Sequence, residues 1–460
     1  MQGETRWSFL PSSVMPVVMP VPPVLRALAG ALVAGEPTIE EVADRLSRTL
    51  GRRWRWLRPL AQRYVKAFAG HIRPREREVA RFLHHDPGLK RAWTKYSDEL
   101  TAAVWVSEAA RMQPAPAAAS WNIPSIEFIG DLADWLGLDT GDLLWFADLK
   151  GMGYRMNRNH LRHYHYRALS KASGTLRLIE APKDRLKDVQ LQILHCILEK
   201  VPPHPSIHGF LKGRSIKTFI APHVGRRVVL RMDLQDFFPT FSGPRVQTFF
   251  RFLGYPETIA DLLGGLCTNA TPRDVWKDAA LDGDRERLRD AKVLYSRPHL
   301  PQGAPTSPAL ANLCFYRIDC RLSGLARSAG AEYTRYADDL AFSGDPSFEK
   351  HVDSFSTHVA AILLGEGFAV NHHKTRVMRQ GVRQHLAGVV VNQRANILRH
   401  DVDRLKATLT NCIRHGPASQ NRDGHPQFRS HLQGRVAFVE MINPGRGKRL
   451  RALFDQVQWE

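Results

Sequence analysis

Residues 333–344 read YTRYADDLAFSG, an apolar, β-type run with two acids side by side at its centre. Neighbouring carboxylates repel, and holding them out of water is costly unless a cation relieves the charge. No obvious cationic partner stands close in sequence to Asp338 or Asp339. Successive side chains of an extended strand point to opposite faces. The pair can therefore serve one site only if the chain turns tightly between Tyr336 and Leu340, which predicts a β-hairpin with both acids at its tip. In isolation an Asp-Asp pair reads as a solvated turn, and it is the rest of the chain that gives it chemical meaning.

A third acid is supplied by VVLRMDLQDFFPTF, residues 228–241, where Asp233 ends an apolar, β-branched run. A strand of that composition would leave the core at Asp233. Three carboxylates with room for phosphate oxygens suit a hard divalent cation such as Mg²⁺. Two such ions would activate a hydroxyl and stabilise a leaving pyrophosphate. A glycine-bearing loop follows in RPHLPQGAPTSPALAN, residues 297–312, with a helix expected to start near Thr306 or Ser307. Gly303 permits close backbone approach, the helix start offers free N–H groups, and Gln302 can donate to a sugar or base.

The order of patterns predicts an α+β chain. Residues 1–36 read as a proline-rich, poorly ordered leader, and 37–112 as helical. Thr38 with Glu41 forms a capping-box signature, and REREVARFLHHDPGLKRAW continues the helical pattern. Within GRRWRWLRPLAQRYVKAF, Arg52, Arg53, Arg55 and Arg58 interleave with Trp54 and Trp56. That alternation suits stacking on exposed bases and equally suits an amphipathic helix whose tryptophans are core. Residues 112–124 have the composition of a linker, and two short helices joined at Gly137–Gly141 follow. From about residue 160, short strand-like runs (TLRLIEAP, RRVVLRMDL, EYTRYADDLAFSG, HLAGVVVN) alternate with helices, which points to an antiparallel sheet. From about residue 397 the chain is helical and basic.

The net charge of +20 favours a polyanionic partner, above all nucleic acid. The five cysteines include no CxxC pair, which argues against a disulfide framework and a zinc knuckle and fits a reducing cytoplasm. Four prolines and Arg26 interrupt the apolar stretch before Gly35, so neither a membrane span nor a secretory signal is expected.

Taken together, Asp233 in DLQDFF, LPQGAPTSP, YADD and GFAVNHHKT resemble the A, B, C and D motifs of reverse transcriptases, in order. GTLRLIEAPKDRLKDVQLQIL resembles the fingers segment that precedes them. HGFLKGRSIKT, NHHKTRV and AGVVVN resemble the bacterial retron enzymes, in particular myxobacterial-type members with a long helical N-terminal extension. The resemblance covers residues 125–460. It implies a right-hand polymerase fold, with fingers, a palm built on an antiparallel sheet and a helical thumb, behind a helical extension. The expected boundaries are 1–124 for leader and extension, 125–232 for lead-in and fingers, 233–395 for the palm with a fingers segment at about 244–299, and 396–460 for the thumb. Two departures stand out: FIAPH keeps only His223 of the retron Asn-Ala-x-x-His pattern, and LAG keeps only Gly388 of Val-Thr-Gly.

Carried over residue by residue, the resemblance implies that Asp233 and Asp338 hold two Mg²⁺ ions, with Asp339 in support. Phe238 would be the steric gate that excludes a ribose 2′-hydroxyl, with Leu234 beside it and Phe237 a core ring. Lys171 and Arg177 would grip the triphosphate, Gln302 would contact the dNTP, and Lys374 would stand near the leaving pyrophosphate as general acid. Arg214, His223 and Gly388 would handle RNA, and Arg446, Lys448, Arg449 and Arg451 would hold the template–primer duplex.

The implied function is RNA-directed DNA polymerase activity on a structured non-coding RNA, primed from one of its 2′-hydroxyls to give RNA-linked cDNA. A role in antiphage defence with an effector protein is implied with it. The competing readings are another defence-associated or group II intron-like reverse transcriptase and a catalytically silent RNA-binding scaffold. The stretch after YADD leaves room for a thumb but not for appended DNA-binding and endonuclease modules, which counts against an intron protein. Intact acids and a bulky residue at 238 count against a scaffold.

Overall fold

The computed structural model describes residues 23–69, 74–106, 111–155, 162–170, 176–276 and 285–459. They form two compact units that divide at Met112 and Gln113.

The first unit is helical: Pro23–Val33, Ile39–Thr49, Leu57–Ala67, Glu76–His85 and Pro87–Tyr96. Leu28, Leu32, Val42, Leu46, Leu60, Tyr64, Val79 and Leu83 form its core. The Thr38 hydroxyl caps the second helix by accepting from the Glu41 amide at 3.3 Å. Asp86 splits the predicted continuous stretch: its carboxylate caps the following helix at the Leu89 amide and takes two bonds from Arg63. One expectation is corrected here. Part of the leader, Pro23–Val33, is a helix with Leu28 fully buried. Leu25, Leu28, Ala29 and Leu32 repeat at helical spacing behind a proline at the first helical position, and that periodicity outweighs the prolines ahead of it. Trp54 and Trp56 lean on this core, and the Arg52 guanidinium lies 4.5 Å over the Trp54 ring. Arg52, Arg53 and Arg58 each face a carboxylate, which favours tryptophans that pack on the core, although residues 52–56 lie ahead of the helix Leu57–Ala67 and not on it.

The second unit begins with the stretch expected to be a linker, which is docked instead. The Gln113 amide donates to the Gly254 carbonyl at 2.9 Å, the Tyr255 hydroxyl donates to the Pro124 carbonyl at 2.9 Å, and Ala115 and Ala118 are buried. Small residues that suggest a linker by composition also fit closely against a helix end. Helices Ile129–Leu136 and Thr140–Ala147 follow, then an antiparallel hairpin of β1 (Tyr164–Ser170) and β2 (Leu176–Pro182).

The central sheet holds β3 (Val228–Asp233), β4 (Ala331–Tyr336), β5 (Asp339–Gly344) and β6 (Arg376–Arg379) in the order β4-β5-β3-β6, all antiparallel. The flanked position of β3 explains its apolar run: Val228, Val229, Leu230 and Met232 are all buried. Val229, Ala341 and Met378 share one core with a small sheet of β7 (His385–Leu386), β8 (Val389–Val390) and β9 (Asn396–Ile397). The same core takes Leu405, Leu409, Leu432 and Val436 from helices Arg399–His415 and Phe428–Ile442. On the opposite face Tyr333 stacks on Phe342 at 4.8 Å, and Phe355 from helix Val352–Gly365 closes over Phe342. Ala387 and Gly388 turn the β7–β8 hairpin with φ of 45° and 80°, the left-handed pair that a two-residue type I′ turn demands.

His223 belongs to this sheet's support, and its expected role is corrected. It is fully buried, with Nδ1 2.6 Å from the Ser343 hydroxyl and Nε2 2.7 Å from that of Thr334. Thr334 spends its own proton on the Phe219 carbonyl. Nε2 must therefore donate to Thr334, and because burial keeps the ring neutral Nδ1 accepts from Ser343, so the ring has nothing left to offer RNA. Burial pushes its pKa down to about 3. An unfolded histidine takes its proton near 6.5, so the unfolded chain binds more protons between that value and the folded one. The stability His223 contributes is complete above about pH 6.5 and is lost as the pH falls. Urea midpoints measured from pH 7.5 to 5 should fall less steeply for His223→Gln than for the parent, and parallel slopes would show that the ring is not the buried proton acceptor.

Candidate active site

Strand register brings the three acids together. Asp233 ends β3 directly opposite Asp339, the first residue of β5. Cross-strand partners share a face, so the two carboxylates stand together on the face that carries Val229 and Ala341. Asp338 lies in the two-residue turn between β4 and β5, and its carbonyl accepts from the Leu234 amide at 3.0 Å, which pins the turn to the exit of β3. The same exit is tied to the segment before Lys374: the Gln235 amide donates to Ala369 and the Asn371 amide to Asp233.

The counter-charges come from far along the chain. Arg231, two residues before Asp233 and on its face, gives Asp339 two bonds at 2.9 and 2.7 Å. The Lys374 ammonium lies 3.0 Å from both Asp233 oxygens. Asp338 has no ion pair among the described residues. Burial raises its carboxyl above the ordinary value, and the charges of Asp233 and Asp339 raise it further. Burial raises Asp339 as well, against the pull of Arg231. A half-buried carboxylate pressed by two others is a hard oxygen donor in want of a cation, so the donor chemistry fits a divalent metal ion. Among the described residues no group of three or more His, Cys, Asp or Glu side chains is arranged to hold one, and Arg231 and Lys374 engage Asp339 and Asp233.

The turn that carries Asp338 is held by residues not singled out in the sequence. Arg335 is fully buried and pairs with both oxygens of buried Asp319, at 2.8 and 2.7 Å. Its remaining donors reach Asn312 at 3.2 Å and the Ala337 carbonyl at 3.1 Å. Ala337 has φ of 54°, a left-handed conformation that costs a residue with a Cβ roughly 1 kcal/mol. Gly209 presses on the same turn, since a Cβ there would sit 2.8 Å from the Ala337 nitrogen. The visible signal was a charged residue inside each of two apolar strands, Arg231 and Arg335.

The other named residues stand in different surroundings. Phe237 is core, packed on Phe241, Phe315 and Phe368. Phe238 is half-buried, 6.3 Å from the ring of exposed Phe210, which in turn lies 6.3 Å from that of Tyr336. Leu234 is buried, with its main chain against Asp338. Gln302 is half-buried, and its carbonyl accepts from the Glu180 amide at 2.9 Å. Arg177 is exposed on β2, and Lys171 lies outside the described residues. Arg214, Gly388, Lys448 and Arg449 are exposed. Arg446 bonds Asn396 at 3.2 Å, and Arg451 is engaged by Glu440 at 2.7 Å.

A mixed sheet-and-helix chain with paired acids at a hairpin tip and a third at the adjacent strand end has the build of a polymerase catalytic domain. The family model described as reverse transcriptase (RNA-dependent DNA polymerase) matches residues 169–391. The chain is 40% identical over 336 residues to the retron Mx65 reverse transcriptase of Myxococcus xanthus, covering 72% of each. It is 36% identical to the retron Mx162 enzyme of the same organism, over 71% of this chain and 66% of that one. It is 30% identical to the retron Ec86 reverse transcriptase of Escherichia coli, over 60% and 74%. The chain belongs to the retron reverse transcriptases, and it is an RNA-directed DNA polymerase with the right-hand fold. That family uses divalent metal ions. Among the described residues no helix is long and apolar enough to cross a membrane.

Removing Arg335 alone strands a buried carboxylate at Asp319, at a cost of about 3–5 kcal/mol. Arg335→Met should lower the denaturation midpoint accordingly, and pairing it with Asp319→Leu should restore most of the loss. Polymerisation should stay impaired in the pair, because the Ala337 carbonyl is no longer held. Full activity in the stable double variant would show that the turn does not depend on Arg335.

Proposed function

We propose that this enzyme copies part of a structured non-coding RNA into single-stranded DNA that stays joined to the RNA through a 2′-hydroxyl, in the cytoplasm, as the polymerase of an antiphage system with a separate effector protein. The observation that carries the catalytic assignment is the convergence of Asp233, Asp338 and Asp339 through one strand register and one main-chain bond. Two Mg²⁺ ions held by Asp233 and Asp338, with Asp339 beside them, would activate the primer hydroxyl and neutralise charge on the leaving pyrophosphate.

The chain's own groups supply the rest. Arg231 orients Asp339, and Lys374 stands at Asp233, where an ammonium can give a proton to the departing pyrophosphate. Arg177 and Lys171 bind the triphosphate, with Arg177 placed on the exposed face of β2. Phe238 presents its ring where a ribose 2′-hydroxyl would clash, and Leu234 and Gln302 contact the nucleotide. Arg214, Gly388, Arg446, Lys448 and Arg449 meet RNA or duplex phosphates without reading bases, consistent with the exposure of all but half-buried Arg446 and with the charge of +20.

On an RNA template with an annealed DNA primer, replacing both Asp338 and Asp339 by alanine should cut dNTP incorporation by at least about 100-fold, the scale of lost electrostatic stabilisation. Phe238→Ala should raise the rNTP:dNTP incorporation ratio by about tenfold or more, the worth of one steric exclusion. Unchanged incorporation in the double alanine variant removes the site. Sequencing nucleic acid that co-purifies with the protein tests the RNA reading: a short DNA covalently joined to a structured RNA is expected, and unlinked DNA would contradict it.

A further inference from the structure

Glu180, near the end of β2, is fully buried, and its carboxylate collects three donors. Asn269 Nδ2 and Thr271 Oγ1 reach one oxygen at 2.8 and 2.7 Å, and His299 Nε2 reaches the other at 2.8 Å. His299 is 1% exposed, and its Nδ1 faces the Arg297 carbonyl at 2.7 Å. A main-chain carbonyl only accepts, so Nδ1 carries a proton, and Nε2, facing the Glu180 carboxylate, carries the other. His299 is thus an imidazolium. Burial pulls its pKa down, but the Glu180 charge and hydrogen bond lift it above the ordinary value.

This buried pair stands where three separate stretches meet. The Glu180 amide donates to the Gln302 carbonyl at 2.9 Å. Gly303, at φ of 134°, passes so close that a Cβ there would lie 2.9 Å from the Glu180 carbonyl. The main chain of His299 exchanges two bonds with Asn269 at 2.9 and 3.0 Å. On either side of it, Gly243 donates to Pro298 and Leu300 to Phe241, the stretch that follows Phe238. Arg177 lies on the same strand as Glu180, and Gln302 on the same loop as His299.

We propose that the Glu180–His299 ion pair is a positioning latch, which sets nucleotide affinity by fixing the Arg177 strand against the Gln302 loop. It rests on the reading that Arg177 and Gln302 contact the incoming dNTP. Neither Glu180 nor His299 reaches solvent, so neither touches substrate. Holding two contacts in place beforehand removes the ordering cost that binding would otherwise carry. The acids at the hairpin are untouched by the latch, so its loss should appear in KM and not in kcat.

The test measures steady-state dNTP KM, kcat and melting temperature of the full chain on a homopolymer RNA template with an annealed DNA primer. Glu180→Gln, which removes the charge but keeps the shape, should raise KM about tenfold with kcat within about twofold. Thr271→Val, which removes a single bond to the carboxylate, should move KM the same way by less, and it carries the test should Glu180→Gln not fold. Glu180→Gln combined with Gln302→Ala should raise KM less than the product of the separate effects, as residues acting through one element do. A lowered melting temperature with unchanged KM in these variants overturns the latch and leaves a purely structural node. A raised KM in Glu180→Gln with none in Gln302→Ala sustains the latch and refutes instead the Gln302 contact.

Discussion

The hairpin that carries Asp338 and Asp339 depends on a charge buried beneath it. Arg335 and Asp319 are both withdrawn from water, and their mutual attraction alone would not repay that desolvation. What makes the pair tolerable is that nearly every donor is used: two bonds to Asp319, one to Asn312, one to the Ala337 carbonyl, with the Phe315 ring 4.6 Å beneath the guanidinium. The Tyr333 hydroxyl completes the carboxylate at 2.7 Å. An apolar replacement of the same volume could match the stability, but it could not hold a main-chain carbonyl in place. Arg335 ties a left-handed alanine to helices Ser307–Cys314 and Tyr316–Ser328, and Asp338 follows that alanine in the chain. The strain at Ala337 persists because the surroundings over-determine it.

Two buried histidines show how partners decide protonation in this fold. His223 sits between hydroxyls, which can give or take a proton, and one of them is already committed to Phe219. The ring stays neutral and joins β4 to β5 across Thr334 and Ser343. His299 sits between two acceptors and must be charged. Both are equally hidden from solvent, yet one would lose its function on gaining a proton and the other on losing it. Burial alone predicts the same depression for both; the hydrogen-bond partners reverse it at His299.

The juxtaposition of the three acids was legible because their signal is local. An acid at the end of an apolar run and an acid pair inside one are exceptions to strand patterning, and the hairpin and the helix start near Thr306 follow from neighbouring residues. What holds those acids was not legible, because Arg231 meets Asp339 across 108 positions and Lys374 meets Asp233 across 141. His223 illustrates the opposite error: a motif histidine suggested RNA contact, while its place between two strands is fixed by residues more than a hundred positions downstream. Composition misled at residues 113–124 and 23–33, where small and proline-rich sequence reads as loose chain. In the fold the same smallness permits close packing, and helical spacing takes over once the prolines end.

The three carboxylates are not equivalent, and the difference lies in how mobile their counter-charges are. Arg231 belongs to β3, with partners on both flanks, so its guanidinium holds Asp339 as part of the sheet. Lys374 belongs to a turn, its side chain is 51% exposed, and its four-carbon stem can swing away at little cost. Asp338 pairs with neither and carries the repulsion of both neighbours, which the Lys374 charge offsets only in part. A cation arriving from solvent therefore meets one acid with no competitor, a second whose competitor can move, and a third whose competitor cannot. That order follows from the elements on which the counter-charges stand: Asp338 and Asp233 are the less firmly engaged acids, and Asp339 is held by Arg231.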